Sequence, residues 1–149
     1  MAGAFNNDGS GNNAGHVRIY EWNGLLWPQM VLDIDGEGQS DGSGGSVSMN
    51  SIGDRVAIGA SRNGRNRSAS GHTRIYEWSR SNWVELGVGI DGEASVNFSG
   101  IAVSMNSIGD KLAIGAHRNN GNGSYSCHLR VFENYLSTNL AIAEKIYAY

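Results

Sequence analysis

The chain repeats itself. Residues 3–58 laid over 59–114 match at a constant offset of 56 positions, with no insertion. Gly3-Ala4 falls on Gly59-Ala60, Gly15-His16 on Gly71-His72, and Arg18-Ile19-Tyr20-Glu21-Trp22 on Arg74-Ile75-Tyr76-Glu77-Trp78. Trp27 falls on Trp83, Ile34-Asp35-Gly36-Glu37 on Ile90-Asp91-Gly92-Glu93, and residues 47–54 recur unchanged as 103–110. A third copy starts at Gly115-Ala116, holds through His128, Arg130 and Glu133, and then decays, with Asn134 and Asn139 where the tryptophans belong. The 149 residues form one repeat array: repeat 1 at 3–58, repeat 2 at 59–114, a partial repeat 3 at 115–135 and a divergent tail at 136–149. Self-similarity at a fixed period marks an architecture built by stacking copies of one unit.

Each unit reads as four short strands. The first, over 16–22, alternates Val17 and Ile19 against Arg18, Tyr20 and Trp22, the period of a strand rich in β-branched and aromatic residues. The others are expected at 27–34, 45–50 and 55–60, with a tight turn at 51–54 in which Gly53 supplies unusual backbone angles. Repeat 2 gives the same four near 72–78, 83–90, 101–106 and 111–116. The tail, 136–149, reads either as a helix or as a degraded second strand. The 22 glycines, about twice the usual ~7%, punctuate the turns of every copy.

Four strands per unit of this length is the arithmetic of a β-propeller blade. The run Ser-Gly-x-x-Val-Ser-x-x-x-x-x-Gly-Asp-x-(Val/Leu)-Ala-Ile-Gly-Ala, at 43–60 and 99–116, resembles the FG-GAP repeat of integrin α-subunit propellers. The Gly-His-x-Arg-(Ile/Val)-(Tyr/Phe)-Glu segment that follows is similar to that repeat's third strand. The resemblance implies an all-β fold, a partial propeller of tandem four-stranded antiparallel blades, about two and a half of them. It also implies an extracellular or cell-surface setting and a role in adhesion. In that family a calcium loop joins the first two strands, where this chain has only the short segments 50–54 and 106–110. An open arc of blades leaves faces and edges uncovered, so the chain is expected to associate with its own copies or with neighbouring blades.

Two groups of residues are candidate sites. Asp33, Asp35, Glu37 and Asp41 place oxygen side chains at spacings 1, 3, 5 and 9 with glycines between, a pattern a flexible Ca²⁺ loop can use. Their copy reads Gly89, Asp91, Glu93 and Asn97, and the alternative is a solvated loop whose carboxylates cap backbone amides. The pairs Trp22/Trp27 and Trp78/Trp83 flank a four-residue connection that brings both rings together. Exposed, they would stack on sugars or anchor a partner; buried, they are cross-strand packing, which their recurrence favours. Residues 6–13 offer Asp8, Ser10 and Asn12 as weak oxygen ligands, whereas the equivalent loop carries Arg62, Arg65 and Arg67, suited to an anion or to solvent. His16, His72 and His128 recur with the period and read as ties between a strand start and a loop.

Composition excludes several classes. A net charge of −3 gives no basic face for nucleic acid, and no apolar run approaches the ~18 residues of a membrane span. The single Cys127 permits no internal disulfide. No nucleophile elbow, zinc-protease or phosphate-loop motif occurs, and no secretory signal is visible at the start. Sequons at Asn66, Asn97 and Asn122 are about what so much Asn and Ser yields by chance. The expected function is a non-catalytic interaction or adhesion scaffold for protein or glycan ligands. The alternatives are a lectin-like propeller assembled from several chains and, further off, a hydrolase using Asp35/Glu37 or Asp91/Glu93.

Overall fold

The computed structural model describes residues 1–121, 123, 125–133 and 143–147. Its described residues contain strands and no helix: β1 (Ala2–Ala4), β2 (His16–Arg18), β3 (Ile34–Asp35), β4 (Ser46–Met49), β5 (Arg55–Ala60), β6 (His72–Trp78), β7 (Trp83–Glu85), β8 (Ile90–Asp91), β9 (Ser99–Met105), β10 (Lys111–Ala116), β11 (His128–Glu133) and β12 (Ala143–Tyr147). They form three antiparallel sheets, β1-β2-β3, then β4-β5-β6-β7 with β8 also on β6, then β9-β10-β11-β12. The chain is therefore all-β. The tail pairs as β12 on β11 with Leu129 opposite Tyr147; the rest of the tail, with Asn139, and Asn134 before it lie outside the described residues.

The sheets do not coincide with the sequence repeats. The second sheet takes β4 and most of β5 from repeat 1 and the rest from repeat 2. Registers nevertheless keep the period: Gly3 pairs with Val17, Gly59 with Thr73 and Gly115 with Leu129. The first sheet also has a strand not expected from the pattern, β1, whose Gly3-Ala4 is the remnant of the segment that becomes β5 and β10.

Strands β5, β6 and β10 keep the bounds read from the pattern: β5 and β6 are buried on both sides, and β10 buries Leu112, Ile114 and Ala116 on one. Val56, Ile58 and Tyr76 face the first sheet with Val17, Ile19 and Ile34, while Ala57 and Ile75 face the third with Met105, Leu112, Ile114 and Phe132. The sheets thus stack face to face through two apolar layers. Ile58, Ile75, Leu112 and Ile114 are all but fully buried, each contributing about 1.5–3 kcal/mol of burial.

The expected strand at 83–90 is broken into β7 and β8, because Gly87 and Gly89 take φ of +73° and +74°, which no strand accommodates. Its counterpart at 27–34 shrinks to a Tyr20–Gln29 bridge and β3; Pro28, just before the bridge, has no N–H to donate.

The unchanged segments 47–54 and 103–110 build the same turn. Asn50 Oδ1 accepts the N–H groups of Asp54 (3.1 Å) and Arg55 (3.0 Å), and its amide donates to Asp54 Oδ1 at 2.6 Å. Asn106 repeats this with Asp110 and Lys111 at 3.1, 3.0 and 2.7 Å. Across the stack, β4 lies against β9, tied by Ser46 Oγ to the Gly100 carbonyl (2.8 Å), by the Met105 N–H to Ser48 Oγ (2.9 Å) and by Ser51 Oγ to the Ser107 carbonyl (2.8 Å).

Candidate functional site

The acidic loop after β3 is a latch between sheets. Arg74, 7% exposed, reaches across from β6, and its guanidinium donates to the Asp35 carbonyl at 2.5 Å and to Ser43 Oγ at 3.4 Å. Asn63 donates to Asp41 Oδ2 at 2.8 Å and to Glu37 Oε2 at 3.3 Å, and Arg65 pairs with Glu37 at 3.1 Å. His72, buried, sets Nδ1 2.6 Å from Asp91 Oδ1 and lies 3.7 Å from Glu37 through Nε2.

The same latch closes the next junction 56 residues on. Arg130 donates to the Asp91 carbonyl at 2.7 Å and Ser99 Oγ at 3.3 Å, and Asn119 to Glu93 at 2.9 Å. His128 Nδ1 sits 2.9 Å from Glu93, so the histidines do join strand starts to loops.

The four candidate metal ligands are thus divided. Glu37 and Asp41 meet on Asn63, whereas Asp33 and Asp35 lie beside His16. Among the described residues, the group of three whose ligand atoms converge within 4.8 Å is His16, Asp33 and Asp35. Asp33 there is already held: Arg18 Nε reaches both its oxygens at 2.9 and 3.1 Å, Arg18 Nη2 adds a bond of 2.9 Å, and Gln29 one of 2.7 Å. A cation at this point would have to displace a guanidinium. In the loop at 6–13, Asp8 accepts the Asn13 N–H and Ser10 donates to the Gly36 carbonyl, so these oxygens close the loop.

Two carboxyls are shifted, in opposite directions. Hydrogen bonds from Arg18 and then Gln29 hold Asp33 down to about 2. Burial pushes Asp41 up, against the hydrogen bonds from the Gly38 backbone and Asn63. The Asp33 contribution is present above the ordinary carboxylate pKa and is lost as pH falls from about 4 towards 2. Asp41 has the reverse sign, its contribution fading as pH rises through the carboxylate range. Thermal melts of the wild type and Asp33→Asn from pH 6 to 2 should therefore show a small gap, under about 1 kcal/mol for a partly exposed pair, that shrinks as pH falls from about 4 towards 2. A gap that does not shrink over this range would assign the loss to packing.

The tryptophan pairs diverge. In both, the rings touch: centroids of Trp22 and Trp27 are 5.3 Å apart, and those of Trp78 and Trp83 5.4 Å. Trp83 packs onto the apolar layer between the first two sheets, and Trp78 is half-buried beside it. Trp22 and Trp27 are 50% and 64% exposed, with Leu25 and Leu26 open between them. The difference lies in the neighbour. The second sheet has the first to lean on; among the described residues no sheet packs on the corresponding side of the first. Arg18 shows the same contrast, its side chain 45% exposed where Arg74 and Arg130 are each 7% exposed.

The latch arginines and Asn63 were not anticipated as partners of the acidic loop. The signal was present in the repeat, because Glu37 with Asn63 recurs as Glu93 with Asn119, and Asp35 with Arg74 as Asp91 with Arg130. Neither a scan against protein-family models nor a search of curated proteins returns a match for the chain.

Proposed function

We propose that the chain is a run of propeller blades of the FG-GAP kind, working as a non-catalytic scaffold that binds a protein through the uncovered side of its first sheet. The observation that supports this best is the twofold repetition of one sheet-to-sheet contact, apolar layer and latch together, with a third copy of its receiving face, on the first sheet, left open among the described residues. On that face and its rim lie Arg18, Tyr20, Trp22, Leu25, Leu26 and Trp27. Clustered aromatic and aliphatic side chains of this kind are the usual anchors of protein interfaces. In this reading β4 and β9 are innermost strands, and an extracellular or cell-surface setting follows from the family resemblance.

The carboxylates proposed for acid–base chemistry support a structural role: Glu37 is held by Arg65 and Asn63, Glu93 by His128 and Asn119, and Asp91 by His72. The lectin alternative draws on the exposed Trp22 and Trp27, but their 44° tilt makes a wedge and not one flat platform.

Light scattering over a concentration series tests the proposal. The wild type is expected to associate, and the Trp22→Ala/Trp27→Ala double variant to remain monomeric. Tryptophan fluorescence that shifts with neutral oligosaccharides would move the reading to the lectin. A wild type that is monomeric throughout and indifferent to sugars would overturn it.

A further inference from the structure

Away from the latch and the tryptophan rim, the loops leaving β1, β5 and β10 meet the starts of β4 and β9. They enclose a groove of about 490 Å³ lined by Phe5, Arg62, Phe98, Ile101, His117 and Arg118, with small residues between. That volume is within the range of small-molecule sites.

The groove gathers the same repeat positions from successive copies. Phe5, Ser61 and His117 are equivalent, as are Asn6, Arg62 and Arg118, Gly42 and Phe98, and Gly45 and Ile101. The neighbouring segments 47–54 and 103–110 are identical, so the copies keep their frame and differ where they face this groove.

Phe98 is the pointed case. Its φ is +53°, and Gly42, at the equivalent position, has +63°. Glycine takes that conformation freely; a phenylalanine there is strained, and such outliers cluster at ligand clamps. The strain puts the Phe98 ring into the groove, 5.4 Å from the His117 ring and 5.0 Å from the Arg118 guanidinium. Arg62 lies over the exposed Phe5 ring at 6.0 Å. No carboxylate lines the groove, and among the described residues neither Arg62 nor Arg118 makes an ion pair.

We infer that this groove binds a small organic anion: a carboxylate or sulfate carried on a ring with a flat apolar face. Guanidiniums laid on aromatic rings keep their edge N–H groups free for bidentate donation to such an anion. Phe5, Phe98 and Ile101 receive the apolar face, and His117 is a third polar group at the rim. The site goes beyond the scaffold reading and does not depend on it.

Calorimetric titration of the whole chain with benzoate, glucuronate and phenyl sulfate, each to about 10 mM, tests the inference. At least one should bind, with affinity falling as salt is added. Benzoate or phenyl sulfate leading would identify an aromatic acid as the natural class; glucuronate leading, a sugar acid. Arg62→Gln and Arg118→Gln, both at exposed side chains, should each weaken binding by about tenfold or more. Phe98→Gly should also weaken it while raising the melting temperature, a combination that loss of folding cannot produce. No binding by any of the three, equal binding of benzamide and glucose, or equal binding of inorganic sulfate alone would each overturn the inference.

Discussion

Gly71→Ala should remove about 2–5 kcal/mol of stability, enough to unfold much of a marginally stable chain. Two terms add. Gly71 has φ of +84°, where an L-residue pays about 1–2 kcal/mol. A Cβ there would also stand 2.0 Å from the Ser99 carbonyl oxygen and 2.5 Å from its nitrogen, both backbone atoms that cannot turn aside. Separating them means prising apart the Gly71–Ser99 bridge that joins the second and third sheets, an overpacking cost of about 1–3 kcal/mol. Gly87 is the control: its φ is +73°, but nothing lies within 4 Å of the added carbon, so Gly87→Ala should cost only the first term. Cys127 makes the same point from within the chain. It occupies the Gly71 position of the third copy at φ +62°, so the backbone conformation alone is tolerable there. Urea midpoints at unchanged m-value report the difference. Equal losses for the two variants would show that the close approach to Ser99 does not matter.

Arg74→Met should cost about 2–3 kcal/mol, although methionine keeps most of the apolar stem. The guanidinium makes the charged hydrogen bonds of the latch, to the Asp35 carbonyl and to Ser43 Oγ, and Ser43 is fully buried. Hydrogen bonds to a charged group contribute about 1.5–3 kcal/mol, and an acceptor left without its donor is costly. The guanidinium also stacks 5.4 Å from the Tyr76 ring, one of the side chains of the first apolar layer. Arg18→Met removes the equivalent guanidinium on the open face, where its partner is the carboxylate Asp33; there the loss should be much smaller than for Arg74→Met. The same denaturation series measures both. Indistinguishable losses would mean that the Arg74 contact does not couple the sheets.

These two positions also show how far the fold could be read from residues alone. The strands at 55–60 and 72–78 are legible because both faces are buried, so consecutive places are filled, and 111–116 because Leu112, Ile114 and Ala116 are buried in alternation with more open positions. The second strand of each unit is not, because Trp83, Val84 and Leu86 suggest continuity that Gly87 and Gly89 interrupt. The acidic run 33–41 has the oxygen spacing of a cation loop, and spacing cannot reveal that donors arrive from 63, 65 and 74. Those partners are long-range, and they become visible only when both copies are compared for what recurs together. The exposure of Trp27 beside the partial burial of its counterpart Trp83 was out of reach for a similar reason: the residue is the same, and what differs is the presence of a neighbouring sheet.

The constancy of the offset has a consequence for how such a chain can change length. The donors Asn63, Arg74, Asn119 and Arg130 and the acceptors they meet sit at matching points of the period. Excising residues 59–114 would join the acceptor loop of the first sheet to the donor strand of the third, with Arg130 where Arg74 had been and Phe132 in place of Tyr76. Inserting a further 56 residues of the same pattern would do the converse. The junction is a modular coupling, carried whole by each unit, so gain or loss of a unit preserves every contact type, whereas gain or loss of a few residues within one preserves none.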